Sequence, residues 1–250
     1  MEAVINLNNH AVRLLSRKQV QAATRVLRDA FVDFRTLEQQ QEQQGQQPNP
    51  LQAHDDGGGG GGGGDDDDGS NENDNENGEE ANDDDDDDVP FCIRPVRLHS
   101  DLQVSCHALS PNNDFTFYPY AFALPERSSD ETAVAVVLVY NLALARLCLG
   151  MQTTNHGVLR KTIDLFANAL AVDQSSITSG LELVTLATLM NQGFLSSHFL
   201  LQKDVLQTAD RILNQLRSDR MALSGETWLF FFVPSFHIQE WGLITMAPSV

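Results

Sequence analysis

Cys106 and His107 are adjacent, with His99 and Cys92 upstream. A Cys beside a His can act as a thiolate nucleophile with its base. Paired Cys and His at ligand spacing can hold zinc. Neither chemistry is completed here. Cys92 and Cys106 would make half a metal site at most, and a second pair at ligand spacing is missing. The remaining histidines are scattered. Three cysteines at wide spacings make no disulfide framework and point to reduced thiols, with Cys148 packed as a small hydrophobe on an apolar helix. The eight glycines from Gly57 have no strand before them and no Gly-Lys-Ser/Thr behind them, so they are not a phosphate loop. No Gly-x-Ser-x-Gly elbow is present. These residues predict no catalytic site, no cofactor and no metal, and hence no enzyme.

A different set of residues carries a pattern. Asn9-His10-Ala11, Asn141-Leu142-Ala143 and Asn191-Gln192-Gly193 each place a small residue two positions after an Asn. Each is followed by a trio spaced four then three: Ala23, Leu27 and Ala30; Thr162, Phe166 and Ala169; Val205, Ala209 and Ile212. A small residue on a first helix would let a second helix approach, with the trio filling the gap. An Asn side chain carries both a donor and an acceptor, and can pair with a ligand backbone or bridge neighbouring helices.

The elements that would position these residues follow from periodicity. Ala11, Leu14 and Leu15, then Ala23, Leu27 and Ala30, mark helix faces on either side of the break at 16–19. Residues 1–38 therefore read as a first helical hairpin. Helical periodicity returns at Glu131 and lasts to about Arg217. Breaks near 150–157, 173–180 and 200–203 give four helices in two more hairpins. The run from Ala133 to Leu149 is shorter than the ~20 residues that span a bilayer and reads as a core helix. Between the hairpins, Phe91, Ile93 and Val96, and the aromatic stretch 115–122, suggest short strands, with a loop over 107–114. Pro95 and Pro119 confine those strands to edges. Leu229 to Val233, ahead of Pro234, reads as a C-terminal strand paired with them. The expected organisation is mainly α: residues 91–250 pack with the first hairpin as one domain, about three hairpins plus a small antiparallel β element.

This layout resembles the tetratricopeptide repeat, whose two-helix unit has a small residue in its first helix and a small–large–small set in its second. The small-residue-to-trio interval is 12 in units one and three and 19 in unit two. The resemblance therefore implies about seven extra residues looping out near 151–157. A second likeness is to uncharacterised short helical-repeat proteins of diatoms, through Asn141 to Leu144 after an aromatic segment and the Ala247-Pro248 tail. By the resemblance to tetratricopeptide repeats, first helices line a groove for a partner peptide or helix. Its positions here are Ile5, Asn9 and Val12; Tyr140, Asn141 and Leu144; and Asn191, Phe194 and His198. The family's carboxylate clamp needs Lys or Arg on this face, where Asn8 and Tyr140 stand. An apolar or neutral ligand is expected.

The charge is concentrated in one place. The net charge is −19, yet residues 36–90 hold 19 of the 35 acids and no Lys or Arg, so the remaining 16 acids balance the 16 bases. A neutral foldable part gives no footprint for nucleic acid, and no membrane segment is expected. Residues 39–90 read as a disordered Gln/Gly/Asp-rich insert: from His54 to Asp88 the only apolar side chain is Ala81, too little to offset ordering entropy. Its Gln-rich start could prolong the preceding helix. The insert is either a solvated linker or a lure for basic proteins such as histones. The alternative function is accordingly an acidic chaperone for basic proteins. The first residues lack a basic start and apolar run, which predicts a cytoplasmic or nuclear scaffold whose partner is a protein. Hydrogen exchange should find residues 48–88 unprotected at the shortest labelling time. Slow exchange anywhere from Asp65 to Asp88 in the isolated chain would contradict this reading.

Overall fold

The structure is a computed structural model and describes residues 1–45, 92–109, 114–128, 130–173, 180–218 and 223–245. The expected acidic insert from residue 46 onward lies outside the described residues. Among the described residues there are eight helices and a two-stranded antiparallel sheet.

In chain order the elements are α1 (Glu2–Ser16), α2 (Val20–Gly45), β1 (Arg94–Arg97), α3 (Ser100–Leu109), β2 (Tyr120–Ala123), α4 (Glu131–Gln152), α5 (His156–Asp173), α6 (Glu182–His198), α7 (Gln202–Arg217) and α8 (Gly225–Thr245). The Gln-rich stretch does extend α2, to Gly45. Each second helix touches the next first helix: α2 meets α4, α5 meets α6, and α7 meets α8. The helices thus form a repeat-like array. Its centre is α4, which also contacts α1, α3 and β2. Asp130 caps α4 by accepting from the Ala133 N–H at 2.9 Å. The helix is apolar all round, as a buried helix must be. By length and composition it could cross a membrane, but 83% of its most apolar window is buried inside the fold.

The three turns within the helix pairs are alike. In each, the second of three linking residues has a left-handed backbone: Lys18 (φ 65°), Thr154 (φ 48°) and Leu200 (φ 57°). In each, the next residue's N–H reaches back five positions: Gln19 to the Leu14 carbonyl, Asn155 to Gly150, and Leu201 to Ser196, all at 2.9 Å. This closure satisfies helix-end carbonyls in the manner of a Schellman turn. It also corrects the expected loop of seven residues in the second pair. That connection is as short as the others, and the extra residues lengthen the helices instead. Asn141 stands nine residues before its turn carbonyl, against five for Asn9 and Asn191. The first trio residue, Thr162, follows Thr154 by eight residues, against five in the other pairs. Four and three added residues make about two helical turns in all, one on each helix, so the facing sides stay in register. Gly150 belongs to this extension; a Cβ there would sit 2.5 Å from Leu159 Cδ2 on α5.

Two readings of local structure are corrected. Residues 100–109 are helix α3, so His107 to Leu109 of the expected loop are helical, and residues 110–113 lie outside the described residues. Leu102 and Cys106, spaced by four, are buried on α3, and Leu98 just ahead of it is buried too. The C-terminal strand is also overturned: Leu229 to Val233 lie in α8, which runs through Pro234. Aromatic stacking at helical spacing accounts for this, with Trp228 on Phe232 at 4.3 Å and Phe232 on Phe236 at 5.3 Å between ring centroids. Phe231, Ser235 and Ile238 form the buried stripe. Phe230 and Phe231 pack on Tyr118 at 5.6 and 5.3 Å. Leu229, Val233 and Phe236 are exposed. The upstream strands need no tail, because β1 and β2 pair with each other, Arg94 opposite Ala123 through Arg97 opposite Tyr120.

A left-handed Leu costs roughly 1–2 kcal/mol that Gly does not, against up to about 1 kcal/mol of extra chain entropy. Leu200 is exposed, so its removal forfeits little burial. Leu200→Gly is expected to raise stability by about 0.5–1 kcal/mol in urea denaturation. A loss of stability would show that this turn is not held left-handed.

Candidate functional site

Of the residues expected to line a groove, Asn9, Tyr140, Asn141, Asn191 and Phe194 meet one feature, an extended segment of the chain itself. Residues 114–124 cross α6, then α4, then α1, and include β2. Asn191 takes Tyr118 in both directions: the Tyr118 N–H donates to Asn191 Oδ1 at 2.9 Å, and Asn191 Nδ2 donates to the Tyr118 carbonyl at 3.3 Å. Asn141 does the same for Phe122, accepting its N–H at 2.9 Å and donating to its carbonyl at 2.7 Å. Asn9 holds Leu124, with both bonds at 2.8 Å. At the skipped position, the Tyr140 hydroxyl donates to the Tyr120 carbonyl at 2.8 Å. The contacts fall at 118, 120, 122 and 124, the two-residue period of a strand edge.

Second contacts join these side chains into one network. Asn141 Nδ2 donates to Asn8 Oδ1 at 2.9 Å, and Asn8 Nδ2 donates to the Phe122 carbonyl at 3.2 Å. Asn191 Nδ2 donates to the Tyr140 hydroxyl at 3.2 Å. Ser197 accepts from the Asp114 N–H at 3.1 Å at the segment's start. Asn8, Asn141 and Asn191 are fully buried. Full burial pushes the Tyr140 phenol well above its ordinary value, with Tyr118 and Cys148 nearby adding to the effect. Its hydroxyl therefore stays protonated and able to donate at physiological pH.

Side chains of the segment fill the space between helices. Phe117 packs on Phe194 at 5.8 Å, and Phe122 on Tyr140 at 5.0 Å. Tyr140 in turn meets Phe166 of the second trio at 6.0 Å. A Cβ on Gly193 would stand 2.5 Å from two ring carbons of Phe115. The small residue of the third unit thus admits an aromatic ring of the segment, not the second helix as the spacing suggested. Ile5, Val12, Leu144 and Phe194 are buried; Asn9 and His198 are half-buried. Sequence reasoning named the three asparagines and placed Asn8 on the same face, but missed Ser197 and the segment as their partner. The aromatic density of 115–122 beside three Asn-bearing helices was the available signal.

His198 lies apart from this network. Its ring stacks on His156 at 5.7 Å, with Phe199 alongside and Arg160 over the Phe199 ring at 5.6 Å. Burial, then the neighbouring His156, lowers the His198 pKa below its ordinary 6.5. Cys106 and Cys148 are buried, and Cys92 is exposed. A hydrogen bond with Cys148, then burial, pushes the Cys106 thiol well above its ordinary value. A thiol held protonated is a poor nucleophile. No group of three or more His, Cys, Asp or Glu that could hold a metal is found among the described residues.

Protein-family models, curated proteins and solved structures contain no match to this chain.

Two outcomes follow. Removing Asn191 takes the side-chain partner from the Tyr118 N–H and carbonyl, and removing Asn141 takes it from the Phe122 N–H and from Asn8 Oδ1, the Phe122 carbonyl keeping Asn8; each unsatisfied buried group costs about 1–3 kcal/mol. Asn141→Ala and Asn191→Ala should each cost about 2–4 kcal/mol in urea denaturation, and the half-buried Asn9→Ala less; equal small losses at all three would contradict the geometry. The second concerns pH. The fold favours the neutral His198 ring, so its contribution is full above 6.5 and is lost as pH falls through the lowered folded-state value. The melting temperature should drop on acidification from neutral, and His198→Gln should shrink that drop. An unchanged acid profile in the variant would rule out this contribution.

Proposed function

We propose that this chain is a non-enzymatic interaction scaffold, with three tetratricopeptide-like hairpins whose first helices form a groove for an extended peptide. One observation carries the reading: equivalent asparagines on three first helices grip the backbone of one extended segment at Tyr118, Phe122 and Leu124. Backbone gripping tolerates varied sequence, while apolar pockets between helices select aromatic side chains. The three matching left-handed turns support the repeat. Five of the groove positions, Asn9, Tyr140, Asn141, Asn191 and Phe194, hold residues within 114–124, so a partner peptide of similar pattern would exchange with that segment. The ligand is then apolar or neutral, and a cytoplasmic or nuclear setting suits the reduced cysteines.

The second reading, an acidic chaperone of basic proteins, is favoured by the 19 acids concentrated in residues 36–90. It predicts a salt-sensitive partner, whereas groove binding predicts a salt-tolerant one.

A labelled peptide of residues 114–124 distinguishes a binding groove from a permanent core. It should bind the full chain carrying Phe117→Ala, which loosens the resident segment, and adding Asn141→Ala should abolish uptake. Failure of the peptide to bind both the wild-type and the loosened chain would remove the groove from the proposal.

A further inference from the structure

Arg146 is an anomaly in α4. It lies amid a run in which nearly every side chain from Ala133 to Met151 is buried, and it is itself only half-buried. It lines a cleft of about 320 Å³ with Arg25 and Arg28 of α2. Leu149 and Val158 supply apolar walls, and Gln21 and Thr24 line the same cleft. Arg25 and Arg28 are three residues apart and so share one helix face. Among the described residues no carboxylate lies within ion-pair distance of any of the three; the ion pairs found are Lys18–Asp101, Arg35–Glu38 and His99–Asp101.

Three guanidinium groups facing one cleft repel each other, and that repulsion opposes folding unless an anion relieves it. The planar fork of each matches a carboxylate with two parallel hydrogen bonds. The elongated arrangement, two groups along α2 and one across on α4, suits several charges in series better than one small ion. The cleft is separate from the asparagine network, so its anion would not compete with the segment at 114–124.

We propose that the cleft of Arg25, Arg28 and Arg146 is a binding site for a run of carboxylates on an extended peptide. Two sources of that chemistry exist. One is the chain's own tract, Asp65–Asp68 and Asp83–Asp88, which is tethered through the far end of the helix that carries Arg25 and Arg28. Tethering raises the effective concentration of such a ligand. The other is an acidic segment of a partner.

The test uses fluorescein-labelled octa-aspartate and fluorescence anisotropy at low and physiological salt. Two full-length chains are compared: the wild type, and one in which the acids from Asp65 to Asp88 are changed to Asn or Gln. The neutralised chain is expected to bind the probe, more weakly at higher salt. Arg25→Gln with Arg28→Gln, both on the exposed face of α2, should weaken binding by about tenfold or more. Adding Arg146→Gln should weaken it further. Arg217→Gln, on α7 and not lining the cleft, should leave it unchanged. Weaker probe binding by the wild type would identify its own tract as the occupant; equal binding would identify a partner's. A neutralised chain that does not bind, or cleft variants with an unchanged melting temperature that bind as well as their parent, would overturn the proposal.

Discussion

An extended segment buried among helices has two rows of backbone polar groups to satisfy, and leaving them bare would cost several kcal/mol in sum. In this protein the two rows are met differently. β1 pairs with one edge of β2 in antiparallel register. On the other side, Asn191, Tyr140, Asn141 and Asn9 act as a discontinuous strand assembled from three helices. That pairing fixes where α1, α4 and α6 stand relative to one another, because each must present a side-chain amide at a two-residue interval along one backbone. The array is therefore organised by the extended segment 114–124 as much as by helix packing.

The same constraint explains features scattered through the fold. Gly193 is small because the Phe115 ring occupies the place of a side chain. Tyr140 is buried to its hydroxyl because that hydroxyl serves the Tyr120 carbonyl. The longer second pair adds one turn to each of its helices, a change that preserves the facing sides. The tail remains helical because both edges of β2 are already engaged, and α8 covers Tyr118 with Phe230 and Phe231.

Much of this was legible in the sequence, and the limits have physical causes. Helices α1, α2 and α4 to α7 follow from apolar periodicity, and the Asn-x-small triplets marked the residues that meet the segment. The partner was not legible, since an Asn–backbone contact joins positions 73 or 115 residues apart with no trace in local pattern. Helix α3 escaped because two buried residues, Leu102 and Cys106, in a short helix are a weak periodic signal. Helix α8 escaped because Pro234 and a dense aromatic run both argue for a strand. Stacking of residues four apart, visible only in three dimensions, decides for the helix.

The central claim is that three side-chain amides hold the segment's backbone as a strand would. Amide-resolved hydrogen exchange by NMR tests it directly at Tyr118, Phe122 and Leu124. The account predicts that the Tyr118 and Phe122 amides exchange only through global unfolding, and that Leu124, held by the half-buried Asn9, is also strongly protected. Exchange of these amides at the rate of a free loop, while α4 and α6 remain protected, would contradict it.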